Sequence, residues 1–265
     1  MNSKTLRKIA FILASTNHGT LIVNRNDYRI VEAGGYGVGY QLLNQSAFDP
    51  EEVSLALQLL AERKKHFGDG VVAVDCGANI GVHTIEWAQF MHNWGQVLAF
   101  EAQERIYYSL AGNIAINNCF NARALWAAIG KENSTIKVPQ PNYLVPSSFG
   151  SLELIKKSTT EYIGQEISYS DEDSLETQML ALDDLKIARL DLIKIDIEGM
   201  EMDALLGAKD TIKKCQPNLI IEKIKSNEGE IQNYLKDMGY RIFPLGINIL
   251  AIHQNDPTVN NIRLS

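Results

Sequence analysis

A run of apolar, mostly β-branched residues ends in an acid and is followed by a glycine-containing turn and a segment compatible with a helix. The run is residues 71–74, the acid is Asp75, and the turn is residues 77–81. This pattern predicts a buried strand, a tight loop and the start of a helix. In an α/β fold the amides that open such a helix face the crevice at the carboxyl end of the strand, where nucleotides bind. The stretch therefore predicts a nucleotide site at Asp75 and the turn.

The residues of this turn discriminate between the nucleotide cofactors that such a site can bind. A dinucleotide-binding turn follows the pattern G-x-G-x-x-G, whereas residues 77–81 read G-x-N-x-G with Asn79 at the centre and Asp75 just before the turn. A carboxylate repels a pyrophosphate but pairs with the ammonium group of a ligand that carries an amino acid. The turn therefore favours S-adenosylmethionine over NAD. The alternative is that the glycines serve packing alone.

A second apolar run that ends in an acid occupies residues 96–101 and predicts the next parallel strand. Its acid, Glu101, follows Asp75 at about the separation at which a βαβ unit delivers a carboxylate to a ribose. We therefore predict that Glu101 binds the ribose of the cofactor. The alternative is that Glu101 is only a charge near the N-terminus of the helix that begins at residues 103–105.

Two further strands are predicted to end at the same edge of the sheet. Residues 122–130 form the third apolar run, and Trp126 within it can stack on an adenine, although an aromatic residue in such a run more often packs in the core. Residues 217–223 form another run, which carries the acid Glu222 near its end. Both runs therefore add candidate residues to the predicted site.

We call the turn region at residues 75–81 the first informative stretch of the sequence. Residues 190–201 form the second informative stretch, because charged residues alternate with apolar residues within it. If the strand continues to Glu198, its period of two places Lys194, Asp196 and Glu198 on one side. That side is too polar for a plain buried strand. We therefore predict a functional site here, because burying such charges without a function is costly. The alternative is a structural ion cluster at the end of the strand.

These two stretches carry a resemblance to a known family. Residues 75–81 resemble motif I of class I S-adenosylmethionine-dependent methyltransferases, and especially that of the FkbM type. The pattern K-x-D-x-E-G-x-E at residues 194–201 is similar to the second hallmark of the FkbM family. The resemblance spans about residues 70–253. It implies a class I methyltransferase, Rossmann-like α/β fold with a mostly parallel seven-stranded sheet, helices on both faces and a C-terminal antiparallel hairpin, here residues 240–243 and 247–252.

The resemblance also implies which residues form the site. It places S-adenosylmethionine against Asp75, Gly77, Ala78, Asn79, Gly81, Glu101, Ala102, Trp126 and Asp196. It further implies transfer of a methyl group to oxygen. Transfer to a hydroxyl requires alignment of the acceptor and removal of a proton. The candidate catalytic residues are Asp196, Glu198, His83 and Glu222.

Two of these assignments have alternatives. His83 follows the cofactor turn and titrates near neutrality, but it can equally be a histidine that points to solvent from a helix face. A divalent cation held by Asp196 and Glu222 is conceivable, but two carboxylates do not define a metal site, so we predict none.

The composition bounds the remaining classes. A chain of 265 residues with 45% apolar residues suits one substantial α/β domain, and the net charge of -7 argues against a nucleic-acid partner. Three scattered cysteines at positions 76, 119 and 215 fit neither a disulfide framework nor a zinc site, which favours a reduced, cytoplasmic location. We expect no membrane-spanning segment. Oligomeric state is not readable.

The N-terminal 48 residues predict a small cap. Residues 20–23 and 28–31 are predicted to pair as a hairpin, and residues 34–40 form a glycine-aromatic loop that either folds over a ligand or only connects. Residues 4–14 weakly resemble a secretory signal, but their apolar run is at the short limit of such signals and no cleavage pattern follows it, so we expect no secretion. The main domain, residues 49–265, begins with a helix for which Asp49, Pro50 and Glu52 predict an N-cap and a capping box.

A proline- and aromatic-rich insertion at about residues 131–180 is predicted to bind the acceptor, unless it is a solvated excursion. Within it, residues 161–169 and 175–180 alternate and are predicted to pair as edge strands. We expect a small-molecule or glycan acceptor. Two other classes stay open: a nicotinamide-dependent oxidoreductase, and a non-catalytic nucleotide-binding module with the same fold.

Overall fold

The computed structural model of the protein describes residues 7–32 and 34–261. The first six residues of the predicted cap and the last four of the predicted main domain therefore lie outside the described residues. The division of the chain at residue 49 stays a prediction.

The strands, numbered in chain order, are β1 (Phe11–Thr16), β2 (Gly19–Asn24), β3 (Arg29–Val31), β4 (Gly34–Tyr36), β5 (Val71–Cys76), β6 (Gly95–Glu101), β7 (Ala122–Trp126), β8 (Ala128–Ile129), β9 (Ser134–Pro139), β10 (Ser174–Leu180), β11 (Leu192–Ile195), β12 (Asn218–Glu222), β13 (Tyr240–Leu245) and β14 (Asn248–His253).

The α-helices are α1 (Val38–Gln45), α2 (Pro50–Phe67), α3 (Val82–Phe90), α4 (Glu104–Ile116), α5 (Glu201–Gly207), α6 (Lys209–Cys215) and α7 (Glu228–Asp237). Short 3₁₀ helices occupy Phe149–Ser151, Leu182–Leu185 and Pro257–Asn260. In the described ranges, none of these helices combines the length and apolarity needed to cross a bilayer.

The central sheet has seven strands in the order β13-β14-β12-β11-β5-β6-β7. The five strands from β12 to β7 are parallel, and β14 pairs antiparallel with both β12 and β13. This architecture confirms the predicted mostly parallel sheet and the C-terminal antiparallel hairpin. The carboxyl ends of the five parallel strands therefore lie at the same edge of the sheet, where ligands of α/β folds bind.

Strand β5, which lies between β11 and β6, is buried along its whole length and its side chains alternate between two cores. Val71 and Ala73 pack with apolar residues of α2 and α3, whereas Val72 and Val74 pack with those of α5, α6 and α7. The period of two in a strand thus serves both faces, which explains a run of β-branched residues without polar interruption. The predicted helices on both faces are confirmed.

A separate three-stranded sheet carries part of the insertion. Its order is β8-β10-β9, with β10 antiparallel to β9 and parallel to β8. The prediction that residues 161–169 pair with residues 175–180 is wrong, because residues 161–169 form no strand. β10 instead pairs with residues 134–139, whose β-branched residues come from the stretch just after the third apolar run.

The N-terminal strands pair differently from the prediction. Residues 20–23 do form part of a hairpin, but β2 pairs with β1, and residues 29–31 pair with β4. The apolar run that weakly resembled a secretory signal largely lies in β1, next to β2. The tight turn at Asn17 and His18 joins the two strands directly, which favours local pairing over the predicted longer loop.

The start of α2 also differs from the predicted capping box. Asp49 adopts a left-handed conformation with φ 38° and makes no side-chain cap, and its carboxylate accepts from the Gln41 side chain instead. Glu52 points towards the C-terminal hairpin and accepts from the Asn248 amide. Tertiary partners therefore replace the local hydrogen bonds that the sequence pattern favours.

A buried ion cluster holds the end of the sheet opposite the carboxyl ends. Arg63 of α2 donates to Asp191 at 3.0 Å and to Asp256 at 2.6 Å, and all three are buried. Asp191 also accepts from the Val72 amide at 2.9 Å and from Arg189 at 2.8 Å. The cluster ties α2 and the C-terminal 3₁₀ helix to the start of β5 and β11.

We expect Arg63→Met to lower the free energy of unfolding by about 3–5 kcal/mol, because it leaves two buried carboxylates without their shared cation. Urea unfolding of the purified protein measures this change. The control is Lys65→Met on the same helix, whose exposed pair with Glu62 predicts a change below about 0.5 kcal/mol. Equal effects of the two substitutions would contradict the assigned role of the cluster.

Candidate active site

A pocket of about 410 Å³ opens at the carboxyl ends of β5, β6, β11 and β12. Both informative stretches of the sequence line it, together with parts of the N-terminal cap and of the insertion. The predicted site residues that line it are Asp75, Gly77, Ala78, Asn79, His83, Glu101, Ala102, Asp196, Glu198 and Glu222. The fold therefore brings nearly all predicted residues to one cavity.

Two predicted cofactor residues lie outside the lining. Gly81 has φ 94°, and a side chain there would meet Leu110, so its role is to pack α3 against α4. The ring of Trp126 stacks on Tyr107 with centroids 6.4 Å apart, and its indole donates to the carbonyl of Ala102 at 3.0 Å. Trp126 thus supports the backbone of a lining residue.

Gly77 is the point at which the two stretches touch. It has φ 78°, and a Cβ atom there would collide with the carbonyl oxygen of Asp196. The Asp196 amide also donates to the carbonyl of Cys76 at 3.1 Å. The glycine is therefore required by the close approach of the two strand ends, which sets the spacing of the groups on either side.

Asp75 presents a free carboxylate oxygen. Its side chain is 1% exposed, and Oδ2 accepts from the Thr84 hydroxyl at 2.6 Å. Oδ1 is buried and has no hydrogen-bond partner among the described residues. Because an unpartnered buried acceptor is costly, this oxygen is suited to a donor carried by a ligand, such as an ammonium group.

Glu101 connects the turn after β5 to the start of α4. Its Oε2 accepts from the Asn79 amide at 3.0 Å and its Oε1 from the Gln103 amide at 2.8 Å. Burial raises the pKa of Glu101 to about 7, although the two amides oppose this change. Each oxygen keeps a second lone pair that can accept from a ribose hydroxyl.

The second stretch leaves the strand earlier than the predicted alternation assumed. β11 ends at Ile195, so Asp196 and Glu198 lie in a loop, and Glu198 has φ 58°. Lys194 still contacts Asp196, with Nζ 2.7 Å from Oδ2. Burial lowers the pKa of Lys194, but the nearby acids, Asp196 first among them, raise it by more than burial lowers it. The pKa therefore stays above its ordinary value.

Glu198 and Glu222 are acids in an unfavourable environment. Burial, followed by the charge of Asp196, raises the pKa of both carboxyl groups well above the ordinary range. Lys225 lies 2.6 Å from Glu198 Oε2, and it also donates to the carbonyl of Ser151 at 2.8 Å. Perturbed acids in a cleft are a feature of functional sites.

Glu201 shapes this loop without lining the pocket. It is fully buried, accepts from the amides of Ile197 and Gly199 at 3.2 and 3.0 Å, and bonds the Ser226 hydroxyl. The last acid of the K-x-D-x-E-G-x-E pattern is therefore structural. Sequence spacing alone does not distinguish the role of Glu201 from that of Glu198, because the left-handed backbone at Glu198 changes the direction of the chain between the two residues.

His83 is buried in the pocket wall, so the alternative of a solvent-facing histidine is wrong. Its Nε2 lies 3.2 Å from Glu52 Oε1, and its ring packs edge-on against Phe48 and Trp87. Sequence reasoning did not identify Glu52 as a site residue. Its acid sits at a helix start, where an acid is ordinarily explained by the helix dipole.

The cap and the insertion close the pocket on its other side. Tyr36 of β4 donates to Glu161 of the insertion at 2.8 Å, and Arg29 bonds the same carboxylate at 3.1 Å. Lys225 contacts the other oxygen of Glu161 at 3.2 Å. The glycine-aromatic stretch therefore contributes Tyr36, Gly37 and Val38 to the lining of the pocket.

A family model described as the methyltransferase FkbM domain matches residues 75–242. Methyltransferase sdnD of Sordaria araneosa is 25% identical over 190 residues, which cover 64% of this chain and 73% of that protein. Methyltransferase 1 of Beauveria bassiana is 24% identical over 168 residues, 59% of this chain and 66% of that protein.

A crystal structure of methyltransferase FkbM from Methylobacillus flagellatus shares the fold, with a TM-score of 0.50 and 19% identity. The match covers 72% of this chain but only 48% of that one, so the present chain spans about half the length of that relative. The family match extends over more than half of the chain and includes both informative stretches. On this evidence, the protein belongs to the FkbM methyltransferase domain family.

Proposed function

We propose that the protein is an S-adenosylmethionine-dependent methyltransferase that methylates a hydroxyl group of a small-molecule or glycan acceptor. The observation that carries the proposal is one pocket with two chemically different ends. Asp75, Glu101 and the turn after β5 form one end, and Asp196, Glu198 and Glu222 form the other. A bisubstrate transfer needs such an arrangement, because both reactants must lie in one cavity.

The residues of the first end suit the cofactor. The unpartnered Oδ1 of Asp75 offers an acceptor to the methionine ammonium, and Glu101 offers lone pairs to the ribose hydroxyls. Ala127, Ala128 and Ile129 add an apolar wall beside Glu101, as an adenine ring requires. S-adenosylmethionine supplies a methyl group on a sulfonium, which makes that carbon electrophilic.

The second end suits acceptor activation. As the acceptor oxygen forms its bond to the methyl carbon, the bond from that carbon to sulfur breaks and the hydroxyl proton must leave. His83, oriented by Glu52, and the carboxylates of Asp196, Glu198 and Glu222 are the candidate bases. Lys194 holds one oxygen of Asp196 in place.

The charge of the pocket restricts the chemical classes of acceptor that can bind. In the described part of the chain, the lining contains seven carboxylates, from Asp49, Asp75, Glu101, Glu161, Asp196, Glu198 and Glu222, against one lysine, Lys194. A phosphorylated or carboxylated acceptor would be repelled, whereas a neutral polyhydroxyl compound would find many hydrogen-bond acceptors. The cytoplasmic location and the absence of a nucleic-acid partner remain predictions from composition.

We expect the protein to bind S-adenosylhomocysteine with micromolar affinity and NAD weakly, because Asn79 stands where a dinucleotide site has glycine and Asp75 repels a pyrophosphate. Isothermal titration calorimetry with each ligand measures both affinities. Tight NAD binding without a response to S-adenosylhomocysteine would favour the oxidoreductase instead.

We expect Glu101→Gln to weaken S-adenosylhomocysteine binding by about 1–3 kcal/mol, because hydrogen bonds from ribose hydroxyls to a charged acceptor are lost. Glu104→Gln is the matched control. It removes an acid from the first turn of the same helix, outside the pocket, and should leave the affinity unchanged. Equal effects of both variants would mean that Glu101 acts only as a helix-end charge.

We expect Asp196→Asn to keep cofactor affinity while methyl transfer falls about 10²–10⁴-fold, because the amide preserves shape but cannot orient or deprotonate the acceptor. Mass spectrometry of a cell extract incubated with the protein and isotopically labelled methyl donor provides the assay. Asp203→Asn, an acid of α5 outside the pocket, is the control. If Asp196→Asn instead melts earlier yet keeps activity per folded molecule, the Lys194 group is a structural ion cluster.

A further inference from the structure

We infer that Asp196, Glu198 and Glu222 together bind one hard divalent cation of the Mg²⁺, Mn²⁺ or Ca²⁺ type. One carboxylate oxygen of each residue lies within 4.8 Å of the corresponding oxygens of the other two. Such a separation lets three oxygens ligate a single ion at about 2.1–2.5 Å after small side-chain adjustments. The loop after β11 supplies Glu198 as a third carboxylate, beyond the two, Asp196 and Glu222, on which the sequence alone predicted no metal site.

Glu222 supplies an independent sign that this cluster lacks a ligand. It is 6% exposed, lies at the end of β12 and lines the pocket with Asp196 and Glu198. Its Oε2 is buried and accepts no hydrogen bond from any described residue. A buried carboxylate without a donor or a cation is strongly destabilising, and a metal ion satisfies both needs.

The two lysines of this region leave ligand positions open. Lys194 contacts Oδ2 of Asp196, and Lys225 contacts Oε2 of Glu198. Each contact uses one oxygen, so the other oxygen of each carboxylate can ligate an ion while the lysine holds the side chain in place. Glu201 is excluded as a ligand because backbone amides and Ser226 already bond it.

The donor set selects the kind of ion. All three groups are carboxylates, and the cluster contains neither imidazole nor thiolate. Oxygen-only sites suit Mg²⁺, Ca²⁺ and Mn²⁺, whereas zinc sites usually contain nitrogen or sulfur ligands. Three protein oxygens leave further positions for water and for an oxygen of the acceptor.

The catalytic role of the ion rests on the proposed function. A divalent cation at this end of the pocket would bind the acceptor hydroxyl and lower its pKa, so that the proton is transferred to His83 at lower cost. The ion would also offset the excess of carboxylates over lysines in the lining. The binding of the ion itself does not depend on methyl transfer.

The test is a titration of metal-stripped protein with Mn²⁺ alone. The electron paramagnetic resonance signal of free Mn²⁺ measures how much of the ion remains unbound. We expect one equivalent to bind per chain. Glu222→Gln should bind at least about tenfold more weakly. Glu228→Gln removes an acid from the first turn of α7, where it pairs with Lys223, and should bind as the wild type does.

Thermal melting without metal shows that the variant is folded. Glu222→Gln removes a buried acid whose Oε2 has no hydrogen-bond partner among the described residues, so we expect its melting temperature to equal or exceed that of the wild type. Three outcomes would overturn the inference: no saturable uptake up to about 1 mM Mn²⁺, unchanged uptake by Glu222→Gln, or equal weakening by Glu228→Gln. Calorimetry with S-adenosylhomocysteine in the absence of metal tests the proposed function separately, because the proposed cofactor end, formed by Asp75, Glu101 and the turn after β5, contains none of these three carboxylates.

Discussion

The close contact between Gly77 and the backbone of Asp196 is the constraint on which the rest of the site depends. In register, Asp75 of β5 lies beside Lys194 of β11, so the two strands end together. The missing side chain at Gly77 lets the turn after β5 pass directly against the loop after β11. This contact joins two sets of pocket residues that are far apart in the chain. Any larger residue at position 77 would collide with the backbone carbonyl of Asp196.

Buried acids are compensated by ion pairs at one end of the sheet but only partly at the other. At the amino ends of the strands, Asp191 and Asp256 are neutralised by Arg63 and Arg189, so their burial is compensated by direct ion pairs. At the carboxyl ends, the carboxyl groups of Glu101, Glu198 and Glu222 have raised pKa values because the effect of burial exceeds the compensation they receive. Charges that the protein does not satisfy by itself mark where ligands bind. The compensated end stabilises the fold, which holds the uncompensated end in position.

Much of the fold followed from local patterns. The β-branched run at residues 71–74, the acid-terminated runs that became β6 and β12, and the C-terminal hairpin all depend on periodicity and turn residues that are close in sequence. The errors occurred where distant partners competed with local signals. Asp49 does not cap α2, because its carboxylate accepts a hydrogen bond from Gln41 instead. Residues 161–169 form no strand, because β10 pairs with β9. Residues 29–31 likewise pair with β4 and leave β2 to β1.

By itself, the sequence determined the strand–turn–helix unit at residues 71–90, the parallel strands β6 and β12, the C-terminal hairpin and the residue types of both motifs, because these depend on local hydrophobic period and backbone freedom. Only the tertiary structure decided which acids act together. Glu52 reaches His83 from another helix, Glu198 turns into the pocket through a left-handed backbone, and Glu201 turns away from it into backbone hydrogen bonds. Neither Gly77 nor Glu222 shows in sequence what it will contact, because strand neighbours are chosen by the global packing of the sheet.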